Sequence, residues 1–261
     1  MADIRSEQIH AYFKTRLMVR LSYPLDLLLH SFGNLLVAAI GVVFLWAVYR
    51  HVPHIDGWRF HEVLVIWGMA ECCSGLLFVF FQGLWSLNQH YLLGGQMDRV
   101  LTRPMHPLLQ VLLDNINPGD LAVMTMGIGM VAFGAHQADG LIWWHWLLLP
   151  LFLGSGTLIL AGVLLGVSSA GFRVHHRGTA VGLVYQASVF NRYPLTLFPR
   201  SIQWALTIVP FAFASYYPAA FLLGRADPTV AVLQPLVGPL VFIIGLHIWT
   251  KGLANYRSTG S

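Results

Sequence analysis

Glu71 is the only carboxylate placed well inside an apolar run, the stretch from about Val63 to Leu84. A charge at that depth costs a few kcal/mol on insertion scales, so it has to face protein, water or a partner instead of lipid. Two roles suit it: pairing with a cationic substrate, or holding a neighbouring helix through an internal hydrogen bond. Gln82, Ser86 and Asn88 continue the polar positions of the same run, as a water-lined substrate pathway would require. A second set of chemically able residues follows in Gly94-Gly95-Gln96-Met97-Asp98-Arg99-Val100-Leu101-Thr102-Arg103-Pro104. It joins a flexible break, a short helix-forming run and a proline stop, with Asp98, Arg99 and Arg103 supplying both signs of charge. Such a short rigid helix suits docking onto a soluble partner. In an ordinary re-entry turn the same arginines would sit among lipid headgroups.

Other chemistries are limited by count. The chain has only two lysines, Lys14 after Phe13 and Lys251 after Thr250, so no Gly-Lys-Ser/Thr phosphate loop exists and any nucleotide hydrolysis falls to another chain. Cys72 and Cys73 are adjacent and alone, which excludes a disulfide framework or a four-ligand zinc site. The closest histidine pairs, His51 with His54 and His175 with His176, have no third ligand at a regular spacing, so no metal is expected.

These residues are carried by a chain whose solvent is lipid. Of 261 residues 56% are hydrophobic and only 10% charged, and the mean hydropathy is +0.64. With roughly 20 apolar residues needed per helical crossing, the length allows about six or seven crossings and no soluble catalytic domain. Ile9, Tyr12, Phe13, Leu17 and Leu21 recur at helical spacing between Glu7, Lys14, Arg16 and Arg20, which predicts an amphipathic helix on the membrane surface within residues 1–24. Spans are expected at Leu25–Tyr49, Val63–Leu84, Asn117–Ala135, Ile142–Gly171 and Val230–Thr250. Asn117 caps the third, with Pro118 in its first position. Residues 88–117 form the longest polar loop. In the fourth span Gly154, Gly162, Gly166 and Ala170 predict a close-packing stripe. Thr179–Phe190 is short for a crossing, and the proline-punctuated residues 191–229 suit either a helix pair that dips into the outer leaflet and returns or an additional span. Most tryptophans, Trp143, Trp144 and Trp146 among them, fall near span ends, where their rings anchor at headgroups.

The basic residues, which give a net charge of +4, are scattered at span ends, a topology pattern and not a nucleic-acid footprint. With six spans and the N-terminus inside, Arg5, Lys14, Arg16, Arg20, Arg99, Arg103, Arg173, Arg177, Lys251 and Arg257 are cytoplasmic, against Arg50, Arg59, Arg192, Arg200 and Arg225 outside. An extra span would move Arg225 in and Lys251 with Arg257 out, weakening the bias.

Three patterns in order carry a family resemblance: Gly95-x-x-Asp98-x-x-Leu101-x-Arg103-Pro104; Pro210-Phe211 with Tyr216-Tyr217-Pro218-Ala219 and Leu223-Gly224; and Gly252-Leu253-Ala254-Asn255-Tyr256-Arg257-Ser258 with Gly260. Together they resemble the permeases of bacterial ABC exporters, in the broad group of polysaccharide and daunorubicin-type exporters, over nearly the whole chain. The resemblance implies an all-α integral membrane protein: six transmembrane helices, an N-terminal interfacial helix, a cytoplasmic coupling helix after the second span and re-entrant helices before the last. It also implies a multi-pass subunit of the bacterial inner membrane with a cytoplasmic N-terminus, paired with a second permease chain, identical or related. ABC ATPase subunits would bind the ATP and Mg and dock on Gly95, Asp98, Arg99, Leu101, Arg103 and Pro104. The rival expectations, both using Glu71, are an ion-coupled secondary transporter and an intramembrane enzyme performing proton transfer with nearby histidines.

Overall fold

A computed structural model describes residues 2–138, 145–172 and 179–256. The expected turn at Arg173, His175, His176 and Arg177 lies outside the described residues, as do Trp143, Trp144 and the tail from Arg257. With 84% of residues helical and no strand among those described, the protein is an all-α integral membrane protein.

A first helix, α1 (Ala2–Leu21), ends just before Pro24, and α2 (Pro24–His51) opens on that proline with Asp26 in its first turn. After a turn in which Asp56 and Gly57 take positive φ, α3 (Phe60–Phe81) begins with Glu62 accepting a bond from the Arg59 amide at 2.7 Å. Next come α4 (Gly83–Ser86), a wide π-helical turn (Leu87–Leu93), α5 (Gln96–Leu101) and α6 (Pro107–Asp114). The 3₁₀ turn Pro118–Asp120 leads into α7 (Leu121–Gln137), and α8 (His145–Ser169) precedes α9 (Thr179–Ser188). Short helices α10 (Arg200–Ile208) and α11 (Tyr216–Leu222) then lead to α12 (Thr229–Ala254). As expected from the sequence, the Asn117 side chain caps the third span by accepting from the Gly119 amide.

Among the described residues, five helices are long and apolar enough to cross a membrane: Pro24–His51, Phe60–Phe81, Pro118–Gln137, His145–Phe172 and Thr229–Ala254. Their packing fixes their directions. Gly134 of α7 sits at His61 of α3, Gly127 at Gly68, and Met124 at Gly75, so these two run antiparallel. In contrast Gly238, Gly245 and Gly252 of α12 meet Ser155, Gly162 and Ser169 of α8 in the same order, so α12 and α8 are parallel. Between Phe172 and Thr229 the chain must therefore return once across the bundle. An additional net crossing, the alternative left open by composition, would have made α8 and α12 antiparallel.

That return is composite. Val181 of α9 packs in the cluster holding Met97 and Val100 of α5, Arg192 reaches Glu71 halfway along α3, and Tyr216 of α11 meets Trp58 just before α3 begins. Thr196 already accepts from the Trp58 indole at 3.0 Å and Arg225 lies over the same Trp58, so 179–196 makes the crossing and the pair α10 and 211–222, bent by 75°, leaves that end of the bundle and rejoins it. The helix α1, through Tyr12, and the end of α12, through Tyr256, both lie at the α5 end of the bundle.

The small-residue stripe is met in part: Gly162 and Gly166 both lie against α12, whereas Gly154 faces open space. Ser155, Gly162 and Ser169 add contacts to α12 at a spacing of seven, the 3.5-residue period of two long helices in a shallow crossing. Trp67 and Trp249 are buried in the bundle instead of anchoring at its ends.

Candidate functional site

Gly95 adopts φ 67°, a left-handed conformation, and starts α5 after the π-helical turn. Glycine reaches this region without the Cβ clash that other residues meet. Met97 and Val100 then turn inward, at 0% and 4% exposure, against Tyr91, Leu92, Leu108 and Trp249. The buried Gln110 amide fastens the following turn by donating to the Val100 and Met105 carbonyls at 3.0 and 2.8 Å. A short helix that would be marginal alone is thereby held rigid. Its outer face presents Arg99 and Leu101, and the turn after it exposes Arg103 and Pro104. Gly95→Ala is expected to destabilise the protein by about 1 kcal/mol through the positive-φ penalty alone, seen as a lower Tm with the helical circular-dichroism signal preserved.

Asp98 is placed differently from the exposed docking candidates Arg99, Leu101, Arg103 and Pro104. It is partly buried and lies against Tyr256, just past the end of α12. Burial first, then the neighbouring Asp98 carboxylate, pushes the Tyr256 phenol above its ordinary range. Two motifs far apart in sequence, the Gly95–Pro104 loop and the Asn255-Tyr256 ending, thus meet.

The N-terminal helix meets the same loop. An Arg103 guanidinium nitrogen donates to the Tyr12 hydroxyl at 2.9 Å, and this hydroxyl bonds Asp114 of α6. Arg16 pairs with Asp114 at 2.7 Å and also donates to Tyr12. The bond to Tyr12, opposed by desolvation and aided by the Asp114 charge, raises the Arg16 pKa above its usual value.

Glu71, at 3% exposure, accepts from the Trp67 indole at 2.8 Å and pairs with Arg192 at 3.0 Å. The Arg192 guanidinium lies over the Trp67 ring. Arg192, counted outside on charge, is drawn back into the bundle by this carboxylate. Gln82 is half-buried where α3 breaks, and the Ser86 hydroxyl donates back to the Gly83 carbonyl. A cavity of about 20 Å³ along this side is lined by apolar and aromatic residues, including Leu77, Phe78, Trp85 and Tyr185, and by none of the three pathway candidates.

Two further polar clusters lie where single-sequence periodicity carries no pairing signal. Asp120, 4% exposed, accepts from Asn34 at 2.8 Å and lies 3.0 Å from His30, tying α2 to the start of α7. Arg225 grips Glu62 through two nitrogens, at 2.9 and 2.8 Å, and lies over Trp58 at 4.5 Å from the ring centre. His30, Asn34 and Asp26 interrupt the first span near its beginning, which was the one available hint of the first cluster.

Apolar helices long enough to cross a bilayer, with α1 and the end of α12 both meeting the loop around α5, define a multi-pass membrane protein. The chain belongs to the ABC-2 transporter family: the family model described as ABC-2 family transporter protein matches residues 35–260. No curated protein and no solved structure gives a significant match.

Proposed function

We propose that the chain is the permease subunit of an ABC exporter that moves an amphipathic, lipid-linked or drug-like compound out of the cytoplasm. A separate ATPase chain binds ATP and Mg and docks on the exposed face of α5, and a second permease chain, identical or related, completes the pathway. The N-terminus and the α5 end are cytoplasmic, in a bacterial inner membrane. The observation carrying this reading is the outward face of Arg99 and Leu101 on a helix that buried Met97 and Val100 fix to the bundle, with Arg103 and Pro104 exposed in the turn after it. Closure of an ATPase dimer would move such a helix as a rigid lever, and the parallel pair α8 and α12 behind it would pass the displacement between inward- and outward-open states.

The test uses residues with no structural duty. Arg99→Ala with Leu101→Ala should leave the Tm within about 1 kcal/mol equivalent of wild type, since surface changes of this kind rarely exceed ±0.5 kcal/mol each. Co-purification of the ATPase chain, and stimulation of its ATPase activity by the permease, should fall on the order of tenfold, the effect of removing about 1.4 kcal/mol of contact. Unchanged stimulation would remove α5 from the docking role.

A further inference from the structure

A cavity of about 530 Å³ opens between α1 and the turn after α5, lined by Ala11, Tyr12, Thr15, Arg16, Val19 and Arg103, with Pro104, Met105 and Gln110. Its polar wall is unusual in that two guanidinium groups, of Arg16 and Arg103, converge on one phenol oxygen. Asp114 supplies the single carboxylate in this network, so one positive charge is left over. Like charges gathered around one neutral acceptor make a place for an anion. A second, independent feature lies at the base. Gln110 is fully buried, both its amide bonds go to carbonyls, and its side-chain oxygen has no partner. A buried acceptor without a donor costs about 1–3 kcal/mol, and a hydroxyl entering the cavity would relieve it. The remaining wall is apolar: Val19, half exposed, continues through Leu21 onto the exposed face of α2 at Leu25, Leu28 and Leu29. Cationic wall, orphan acceptor and apolar exit thus follow one another from the cavity floor towards the lipid.

We propose that this cavity binds the headgroup of an anionic phospholipid whose headgroup alcohol carries a hydroxyl, such as phosphatidylglycerol. The phosphate sits between Arg16 and Arg103, the headgroup hydroxyl donates to Gln110, and the acyl chains follow Val19 onto α2. The basic amphipathic α1 holds the site at the membrane surface. A lipid seated there bridges α1 to the Arg103–Pro104 turn.

The full chain is reconstituted in phosphatidylcholine vesicles containing a trace of photoactivatable phosphatidylglycerol, and the crosslinked peptides are mapped. Labelling is expected within residues 11–19 and 103–110, displaced by unlabelled phosphatidylglycerol and not by phosphatidylcholine. Displacement by soluble glycerol phosphate would assign a free phosphate ester and overturn the lipid. Label spread over α2 and α12 without displacement would overturn the site. Arg16→Gln with Arg103→Gln should weaken labelling on the order of tenfold, in line with the electrostatic worth of two basic residues at an anionic surface. Ala11→Trp, which fills the cavity and keeps both charges, should also abolish it, and undiminished labelling of either folded variant would sink the assignment. Should a variant fail to fold, the wild-type displacement pattern decides alone.

Discussion

Replacing Glu71 with alanine is expected to lower stability by about 3 kcal/mol, the lower end of the range for removing one partner of a buried ion pair. The cause is the group left behind. With the carboxylate gone, the Arg192 guanidinium and the Trp67 indole N–H keep their buried positions without an acceptor. Arg192 is a quarter exposed, which lets water recover part of the loss and sets the lower end. Arg192→Ala should cost a similar amount, because an unpaired carboxylate at 3% exposure has less access to water than the arginine. The double variant should be better than the sum of the two by more than about 1 kcal/mol, as coupled neighbours are. Thermal unfolding of the four proteins in one detergent supplies the cycle, and additive losses would show that the two side chains do not act as a pair.

The same variants separate the rival uses of Glu71. A carboxylate that shuttles protons for coupled transport or for an intramembrane reaction cannot be replaced by its amide, whereas a structural acceptor largely can. Glu71→Gln retains the bond from Trp67 and should therefore keep transport close to wild type with a reduced Tm. Transport that survives an uncoupler in wild type and in Glu71→Gln would leave no proton-carrying duty for this residue, while loss of transport with the Tm unchanged would restore that duty.

Much of this geometry follows from local pattern. Apolar length located the five long helices, Asn117 and Pro118 marked the start of the third span, and the Gly95 break with Pro104 delimited α5, because each is set by burial or backbone conformation within a few residues. Partners across the bundle were not legible. Nothing in the spacing says that Arg192 turns back to Glu71, that Arg225 closes on Glu62, or that Tyr256 reaches Asp98. An isolated charge in an apolar run announces that it needs a partner, and only the packing of helices chooses which. The return through α9 and the re-entrant pair α10 and α11 after it were half visible, as prolines without a direction. What supplied the direction was the parallel contact of α8 with α12, a property of side chains at heptad spacing that a search for shorter intervals passes over.

That contact makes Gly245→Leu a substitution with a severe packing penalty. A Cβ on Gly245 would stand 2.5 Å from the Gly162 carbonyl oxygen, and a Cβ on Gly162 2.6 Å from that of Val241. Both obstacles are backbone, so no rotamer change relieves them and the helices must part along their length. Separation also strands hydrogen bonds that bridge the pair. The Ser155 hydroxyl donates to the Gln234 carbonyl at 2.6 Å and accepts from the Gly238 amide at 3.1 Å, standing inside the α12 ladder near Pro235 and Pro239. Overpacking costs about 1–3 kcal/mol where a core can shift, and the two exposed backbone groups add about 1 kcal/mol each in lipid, where no water replaces them. Gly245→Leu should therefore lose about 3–5 kcal/mol, the sum of those contributions, and should express as a protease-sensitive protein, while Gly154→Leu, whose Cβ meets nothing, should behave as wild type. Equal behaviour of the two variants in limited proteolysis would mean that α8 and α12 do not pack on this face. Because the α12 tail carries Tyr256 to Asp98, the damage should extend to the loop itself: cleavage between Gly95 and Pro104 should rise in Gly245→Leu and stay at its wild-type level in Gly154→Leu.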